Sequence, residues 1–348
     1  MIRDGDALRA QLARLHAIIR DSVVGQAERS AVESLAAVVR DDSAASDTIF
    51  ALDSISEDLL VDFFEREVAP HWSLVLVAEG LPDSGEGEGL LTLPRGTPAG
   101  SAELRILIDP IDGTRMFMYQ KRSAWILTGV APNRGPDTSL NDIELALQTE
   151  IPLATQFLSD ALWAQRGGGV HASRYNRLTG AHEPVVLRPS SATGIEQGFA
   201  TICRFFPGMR SELAEIDEEI MEGIFGPAQP GRASCFEDQY ICTGGQLYEL
   251  IAGHDCFVAD LRPVVEEMLV RRGRTLGITA HPYDLAAVLI AEEAGVVITD
   301  AAGLPLNAPL DVHSPVAWAG YANPAIQRLV EPHLRAALER RGLITPRP

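Results

Sequence analysis

The stretch Asp109-Pro110-Ile111-Asp112-Gly113-Thr114, which follows the apolar run 104–108, decides more about this chain than any other segment. Its two carboxylates stand three residues apart at the end of a predicted strand, with a proline between them that stiffens the turn. Gly113 lets the backbone approach a ligand closely, and Thr114 belongs to a residue type that caps helices. Asp, Pro and Gly also build ordinary surface turns, so the stretch alone leaves both interpretations open.

A helix that begins at this turn would present unpaired N–H groups, which commonly bind phosphate. Carboxylates beside such a site would repel a phosphate group unless divalent cations lay between them. The hexapeptide therefore predicts a phosphate site that depends on a divalent metal.

Composition narrows the class of protein. The chain has 348 residues, 46% of them hydrophobic, which suffices for two or three domain-sized units with real cores. A net charge of −19 argues against nucleic acid or an anionic membrane as the main partner. The four cysteines form no CxxC pair, and no apolar leader or membrane span is visible, so we expect a cytoplasmic protein without a zinc or disulfide framework.

Hydrophobic periodicity divides the chain near residue 190. We expect an α+β domain over 1–190 that carries most metal ligands, and an α/β domain over 191–348. The expected elements of the first part are helices within 5–40 with a break at Gly25, a helix from Ser54 or Ser56 to about Val68, a strand over 73–78, a mobile loop over 80–100, and strands over 124–187 with a hairpin turn at 166–169. Those of the second part are helices over 209–223, 244–253, 282–294 and 323–341, with extended segments over 256–260 and 296–299.

Acidic residues also end or begin other elements. Glu79 ends the strand before the hexapeptide, and Asp284 lies in the first turn of a predicted helix. Brought within ~4 Å, each like-charged pair would cost about 4 kcal/mol at a dielectric constant of ~20, so such a cluster needs cations. Oxygen ligands without histidine favour Mg²⁺ or Mn²⁺ over zinc. A lone Asp284 is equally well explained as a helix N-terminal charge.

Taken together, these segments resemble the inositol monophosphatase family, the Mg²⁺-dependent, lithium-sensitive phosphatases that include fructose-1,6-bisphosphatases and 3′-phosphonucleotide phosphatases. The segments that carry the resemblance are the hexapeptide, 46–57, 161–169, Asp284-Leu285-Ala286-Ala287, Glu293-Ala294-Gly295 and 299–306. The resemblance covers most of the chain and implies a layered αβαβα sandwich and a homodimer.

The resemblance also implies ligands for two principal Mg²⁺ sites, which Mn²⁺ can also occupy. Glu79, Asp109 and the carbonyl of Ile111 would hold the first ion, and Asp109, Asp112 and Asp284 the second. The family usually has a second glutamate where this chain has Gly80, so a third ion would bind weakly.

Further roles follow from the same resemblance. Thr114, hydrogen-bonded toward Asp53, would help Glu79 and the metal site to activate the attacking water. The phosphate would lie beside Asp112 and the N–H groups of Gly113 and Thr114. The segment Gly244-Gly245-Gln246, which opens a predicted helix, would contact phosphate or sugar oxygens.

The implied activity is hydrolysis of a small sugar or cyclitol phosphate. A fructose-1,6-bisphosphatase, a 3′-phosphonucleotide phosphatase and a catalytically weak regulator that only binds phosphate or metal stay open as alternatives. A haloacid-dehalogenase phosphatase is disfavoured because its motif needs carboxylates two residues apart, and position 110 is proline. A serine hydrolase is disfavoured because the chain has no G-x-S-x-G motif.

Overall fold

The computed structural model describes residues 2–30, 38–41, 48–50, 59–81, 87–273 and 278–346. A short antiparallel pair, β1 (Val38–Asp41) and β2 (Thr48–Phe50), precedes two larger sheets. Within the described ranges, no helix is both long enough and apolar enough to cross a membrane.

Within the part of the chain that the structure describes, the larger sheet has eight strands in the order β10-β9-β8-β7-β6-β5-β3-β4. Their bounds are β3 (Leu74–Ala78), β4 (Leu90–Leu93), β5 (Leu104–Asp112), β6 (Ala124–Pro132), β7 (Leu145–Ile151), β8 (Leu158–Gln165), β9 (Val170–Asn176) and β10 (His182–Val185). Among the described strands of this sheet, only β3 and β5 pair in parallel, and the other neighbours are antiparallel. The central strands are buried on both faces, which is why they form continuous apolar runs rather than alternating ones.

The smaller sheet has four strands among the described residues, in the order β11-β12-β14-β13. Their bounds are β11 (Phe199–Ile202), β12 (Asp255–Asp260), β13 (Val297–Asp300) and β14 (Trp318–Tyr321). The first pair is parallel and the other two pairs are antiparallel.

Helices separate and cover the two sheets. Their bounds are α1 (Gly5–Arg29), α2 (Thr114–Met118), α3 (Arg210–Phe225), α4 (Thr243–Ile251), α5 (Arg262–Arg271), α6 (Val288–Ala294) and α7 (Pro324–Arg340). Helix α1 and the helical segment 59–68 cover one face of the larger sheet, α4 and α6 lie between the sheets, and α3, α5 and α7 cover the outer face of the smaller sheet. This is the predicted layered αβαβα sandwich.

The strand-rich middle, the hairpin at 166–169 and the closing helix are confirmed, but several predicted elements are wrong. Helix α1 continues through Gly25, and the run 38–41 is a strand rather than part of a second helix. The loop predicted over 80–100 contains β4, and the helix predicted over 282–294 begins as a 3₁₀ turn, Pro282–Leu285. The predicted helix start at Ser54 or Ser56 lies outside the described residues.

A buried histidine joins α1 to the larger sheet. The ring nitrogens of His16 lie 2.9 Å from Thr149 Oγ1 and 2.8 Å from Thr128 Oγ1. Burial, and then the charge of Arg20, lowers the pKa of His16 to about 3. The folded protein therefore holds this ring neutral at a pH where the unfolded chain protonates it.

We expect acid to destabilise the protein through His16. Between pH 6.5 and about 3 the unfolded chain binds a proton that the folded state does not, so stability falls as the pH drops through this window. From pH 6.5 to pH 5 the loss is about 2 kcal/mol. Urea unfolding of the parent and of His16→Gln at both pH values measures it, since every other titrating group is common to both. An equal pH dependence in the two proteins would refute the assignment.

Candidate metal and phosphate site

A β-bulge brings the two carboxylates of the hexapeptide to one face of the sheet. Asp109 pairs with Leu127 of β6 and Asp112 pairs with Trp125, so three steps along β5 match two steps along β6. In a regular strand, residues three apart point to opposite faces, and the extra residue at the bulge removes that mismatch. Pro110, which cannot donate to the sheet ladder, lies in the bulge.

A third carboxylate reaches the same place from the second half of the chain. Asp284 lies in the 3₁₀ turn Pro282–Leu285, and its Oδ2 accepts the N–H of His281 at 2.7 Å. Carboxylate oxygens of Asp109, Asp112 and Asp284 all lie within 4.8 Å of one another. The structure thus brings together three of the predicted metal ligands, from segments about 170 residues apart in the chain.

The cluster is electrostatically unfavourable without a cation. Burial raises the pKa of Asp109 well above its ordinary value, and the charges of Asp112 and Asp284 raise it further. Burial and then Asp112 raise the pKa of Asp284 in the same way. Burial also raises the pKa of Asp112, against the hydrogen bond from Gly244. Bound protons or a divalent cation must therefore neutralise the negative charge of these three carboxylates. Because the ligand atoms are all oxygen, they fit Mg²⁺ or Mn²⁺.

Helix α4 directs its N-terminus at Asp112. The N–H of Gly244 donates to Asp112 Oδ2 at 2.5 Å, and Cys242 caps the helix by accepting the N–H of Gly245 at 3.2 Å. The Cys242 thiol also donates to the Asp112 carbonyl at 3.3 Å. These contacts seat the predicted glycine pair beside the hexapeptide.

Gly113 is required by this close approach. Its φ is +89°, and a Cβ atom at this position would lie 2.9 Å from both Cβ and Sγ of Cys242. The prediction that Thr114 caps the helix is wrong, because Gly113 is the N-cap and Thr114 is the first residue of α2. The Thr114 hydroxyl instead donates to the Ile111 carbonyl at 2.7 Å.

Glu79 is the residue directly after β3, the strand that pairs with β5. Its negative charge raises the pKa of Asp109 and of Asp284. Gly80, the departure from the family pattern, adopts a φ of +76°. A glycine there satisfies the turn after β3, because other residue types adopt this conformation only with strain.

We therefore expect Gly80→Glu to destabilise the protein by about 1–2 kcal/mol instead of strengthening a third metal site. Gly80→Asn is the matched control, since asparagine tolerates positive φ better than glutamate does. Melting curves and Mg²⁺ titrations of both variants measure the two effects. A Gly80→Glu protein that melts like the parent and needs less Mg²⁺ would contradict this expectation.

The structure does not place two other predicted site residues, Asp53 and Gln246, in contact with the cluster. Asp53 lies outside the described residues, so its hydrogen bond to Thr114 stays a prediction. The side chain of Gln246 points into the protein, where its amide donates to the Tyr240 carbonyl at 2.6 Å and to Cys203 Sγ at 3.3 Å. A substrate contact of Gln246 stays a prediction that this geometry does not support.

Sequence reasoning missed a buried cation beside the cluster. Arg262 contacts Asp260 through Nε and Nη2, at 2.8 and 2.5 Å, and both side chains are buried. Its charge favours the ionised forms of Asp112 and Asp284. No motif marks it, because its proximity to Asp112 and Asp284 depends on tertiary packing and not on a local sequence pattern.

A cavity of about 550 Å³ reaches the residue that precedes the Cys242 cap. The residues that line it are Arg204, Phe205, Arg210, Ser211, Ala214, Gln239 and Ile241. Ile241 precedes the helix cap Cys242, and the Phe205 ring centroid lies 5.2 Å from the guanidinium carbon of Arg262.

The chain matches no protein-family profile and no curated protein sequence. Solved structures do match over nearly its whole length. Extragenic suppressor protein suhB from Bartonella henselae has a TM-score of 0.61 at 15% identity, covering 94% of this chain and 98% of its own. Leishmania major fructose-1,6-bisphosphatase has a TM-score of 0.63 at 12% identity, with 96% and 93% covered. Inositol monophosphatase II from Staphylococcus aureus has a TM-score of 0.57 at 18% identity, with 98% and 100% covered. The chain has the fold of these proteins.

Proposed function

We propose that this protein is a divalent-metal-dependent phosphomonoesterase that hydrolyses a small sugar or inositol phosphate. The observation that carries the proposal is the convergence of Asp109, Asp112 and Asp284 within 4.8 Å beside the N-terminus of α2 and the cap of α4. Carboxylates of like charge, two of them buried and Asp284 part-buried, lie together at a place where backbone N–H groups can bind phosphate. The neighbouring structures, whose names include inositol monophosphatase and fructose-1,6-bisphosphatase, support the same class.

Each group of residues would have its own role in the reaction. Glu79, Asp109 and the Ile111 carbonyl would hold one Mg²⁺, and Asp109, Asp112 and Asp284 would hold the other. When bound, the two ions would activate a water molecule and stabilise charge on the leaving oxygen. The chain's own N–H groups at Gly113 and Thr114 would orient the phosphate.

Thr114 would orient the attacking water. Its hydroxyl lies 2.7 Å from the Ile111 carbonyl, and since a threonine hydroxyl can accept a hydrogen bond as well as donate one, the water would donate to its oxygen. The water is thereby turned so that a lone pair faces phosphorus, a positioning effect that needs no proton transfer to threonine.

We expect Thr114→Ala to lower kcat by about 10²-fold while leaving Mg²⁺ affinity unchanged. Thr114→Ser, which keeps the hydroxyl, should recover most of the rate. Steady-state kinetics and calorimetric titration of the metal measure the two quantities. Loss of metal binding with normal turnover per bound metal would show that the role assigned to Thr114 is wrong.

The proposed function is tested by phosphate release after thorough chelation, with and without added Mg²⁺. The panel comprises sugar monophosphates, inositol monophosphates, sugar bisphosphates and 3′-phosphonucleotides, and the bisphosphates are included because two arginines line the cavity. We expect release only with Mg²⁺. Release that survives chelation would contradict the mechanism. Mg²⁺ binding without release from any ester would favour the regulatory alternative.

A further inference from the structure

A buried glutamine makes contact with the site from inside the larger sheet. Gln148 lies in the middle of β7 with no exposed surface, and its Nε2 donates to the Gly244 carbonyl at 2.7 Å. Its Oε1 is buried and has no hydrogen-bond partner among the residues that the structure describes. An unsatisfied buried acceptor costs about 1–3 kcal/mol, so stability alone does not explain an amide at this position.

The hydrogen bond from Gln148 is one of three contacts that hold Gly244 against three adjacent strands of the larger sheet. Asp112 of β5 accepts the N–H of Gly244 at 2.5 Å, and Gln148 of β7 donates to its carbonyl. Between them, Leu127 of β6 lies so close that a Cβ atom on Gly244 would be 2.6 Å from Leu127 Cδ2. The first turn of α4 is thus held to the sheet through both the N–H and the carbonyl of Gly244.

These contacts on Gly244 also restrict the orientation of the Asp112 carboxylate. Because the N–H of Gly244 donates to Oδ2, the carboxylate cannot rotate freely, and the position of Gly244, together with the neighbouring N–H of Thr243, sets its orientation toward Asp109 and Asp284. A shift of the α4 N-terminus would turn the carboxylate within the cluster. Gln148 opposes that shift by holding the Gly244 carbonyl.

We propose that Gln148 is a positioning residue for the metal site: through Gly244 it sets the orientation of Asp112 and thereby the affinity for the divalent cation. The inference rests on the proposed function, since it requires Asp112 to be a metal ligand. A purely structural role for Gln148 would instead affect stability alone.

The test is the affinity for Mn²⁺, measured by calorimetry on chelator-treated protein. Gln148→Leu replaces the amide by an apolar side chain of similar size and removes the donor. We expect it to raise the dissociation constant for Mn²⁺ about 10-fold, the effect typical of groups that orient ligands. Gln148→Met, which is longer and more flexible, should show the same loss and serves if the leucine variant folds poorly.

Thr128→Val is the matched control. It removes a buried hydroxyl from β6 that lies 2.8 Å from His16 Nε2, on a contact that does not involve Gly244. We expect it to lower the melting temperature and to leave Mn²⁺ affinity unchanged. The proposal is overturned if Gln148→Leu and Gln148→Met bind Mn²⁺ like the parent, or if Thr128→Val weakens binding equally. A parent protein that binds no Mn²⁺ would overturn the proposed metal site itself, and this inference with it.

Discussion

Asp109→Asn is expected to lower kcat by about 10³-fold or more and, in metal-free protein, to raise the melting temperature. Asp109 is the one carboxylate assigned to both metal ions, so its loss removes a principal electrostatic contribution to the reaction. The same substitution relieves repulsion, because burial and then Asp112 and Asp284 disfavour the charged form of Asp109. Kinetics in Mg²⁺ and melting curves in chelator measure these opposite effects.

Asp137→Asn is the control for this prediction, since Asp137 is an exposed carboxylate in the loop after β6 and does not belong to the cluster. It should change neither quantity. If Asp109→Asn kept more than a tenth of the parent rate, or melted lower than the parent without metal, Asp109 would not be the bridging ligand of a repulsive cluster.

Arg262→Leu is expected to destabilise the protein by about 3–5 kcal/mol. The substitution leaves the Asp260 carboxylate, whose side chain is 1% exposed, without the guanidinium that donates to both of its oxygens. It also removes a positive charge near Asp112 and Asp284, so the dissociation constant for Mg²⁺ should fall.

Urea unfolding measures this loss, and replacing both Asp260 and Arg262 by leucine serves as the comparison. A double variant that loses less stability than Arg262→Leu alone would confirm that the unpaired carboxylate causes the effect. A loss below about 1 kcal/mol in the single variant would refute the buried pair as a stabilising contact.

The segments that form the carboxylate cluster were easier to recognise from the sequence than the secondary structure around them. The hexapeptide and Asp284 could be recognised because carboxylates at element ends, next to Gly and Pro, are local features. The contact of Gly244 with Asp112 joins residues 132 positions apart, and no local pattern encodes it. The bulge was signalled only by Pro110, whose missing N–H is compatible with a bulge but does not specify one.

The predictions that failed relied on local sequence signals, and tertiary packing overrode those signals. Gly25 suggested a break, yet one glycine costs a helix only about 1 kcal/mol, and the buried stripe on α1 that includes Leu12, Ile19 and Val23 outweighs it. The glycine- and proline-rich surroundings of β4 concealed a short strand that pairs with β3. Both α5 and β14 were missed, because short elements that lie against a sheet have weak periodicity of their own.

The central claim is that carboxylates from distant segments form a divalent-metal site. Anomalous diffraction from crystals of the protein soaked in Mn²⁺ tests it most directly. We predict two anomalous peaks in the cluster, one in contact with Asp109, Asp112 and Asp284 and one in contact with Glu79, Asp109 and the Ile111 carbonyl. A map with no peak within ligand distance of Asp109 at saturating Mn²⁺ would contradict the account.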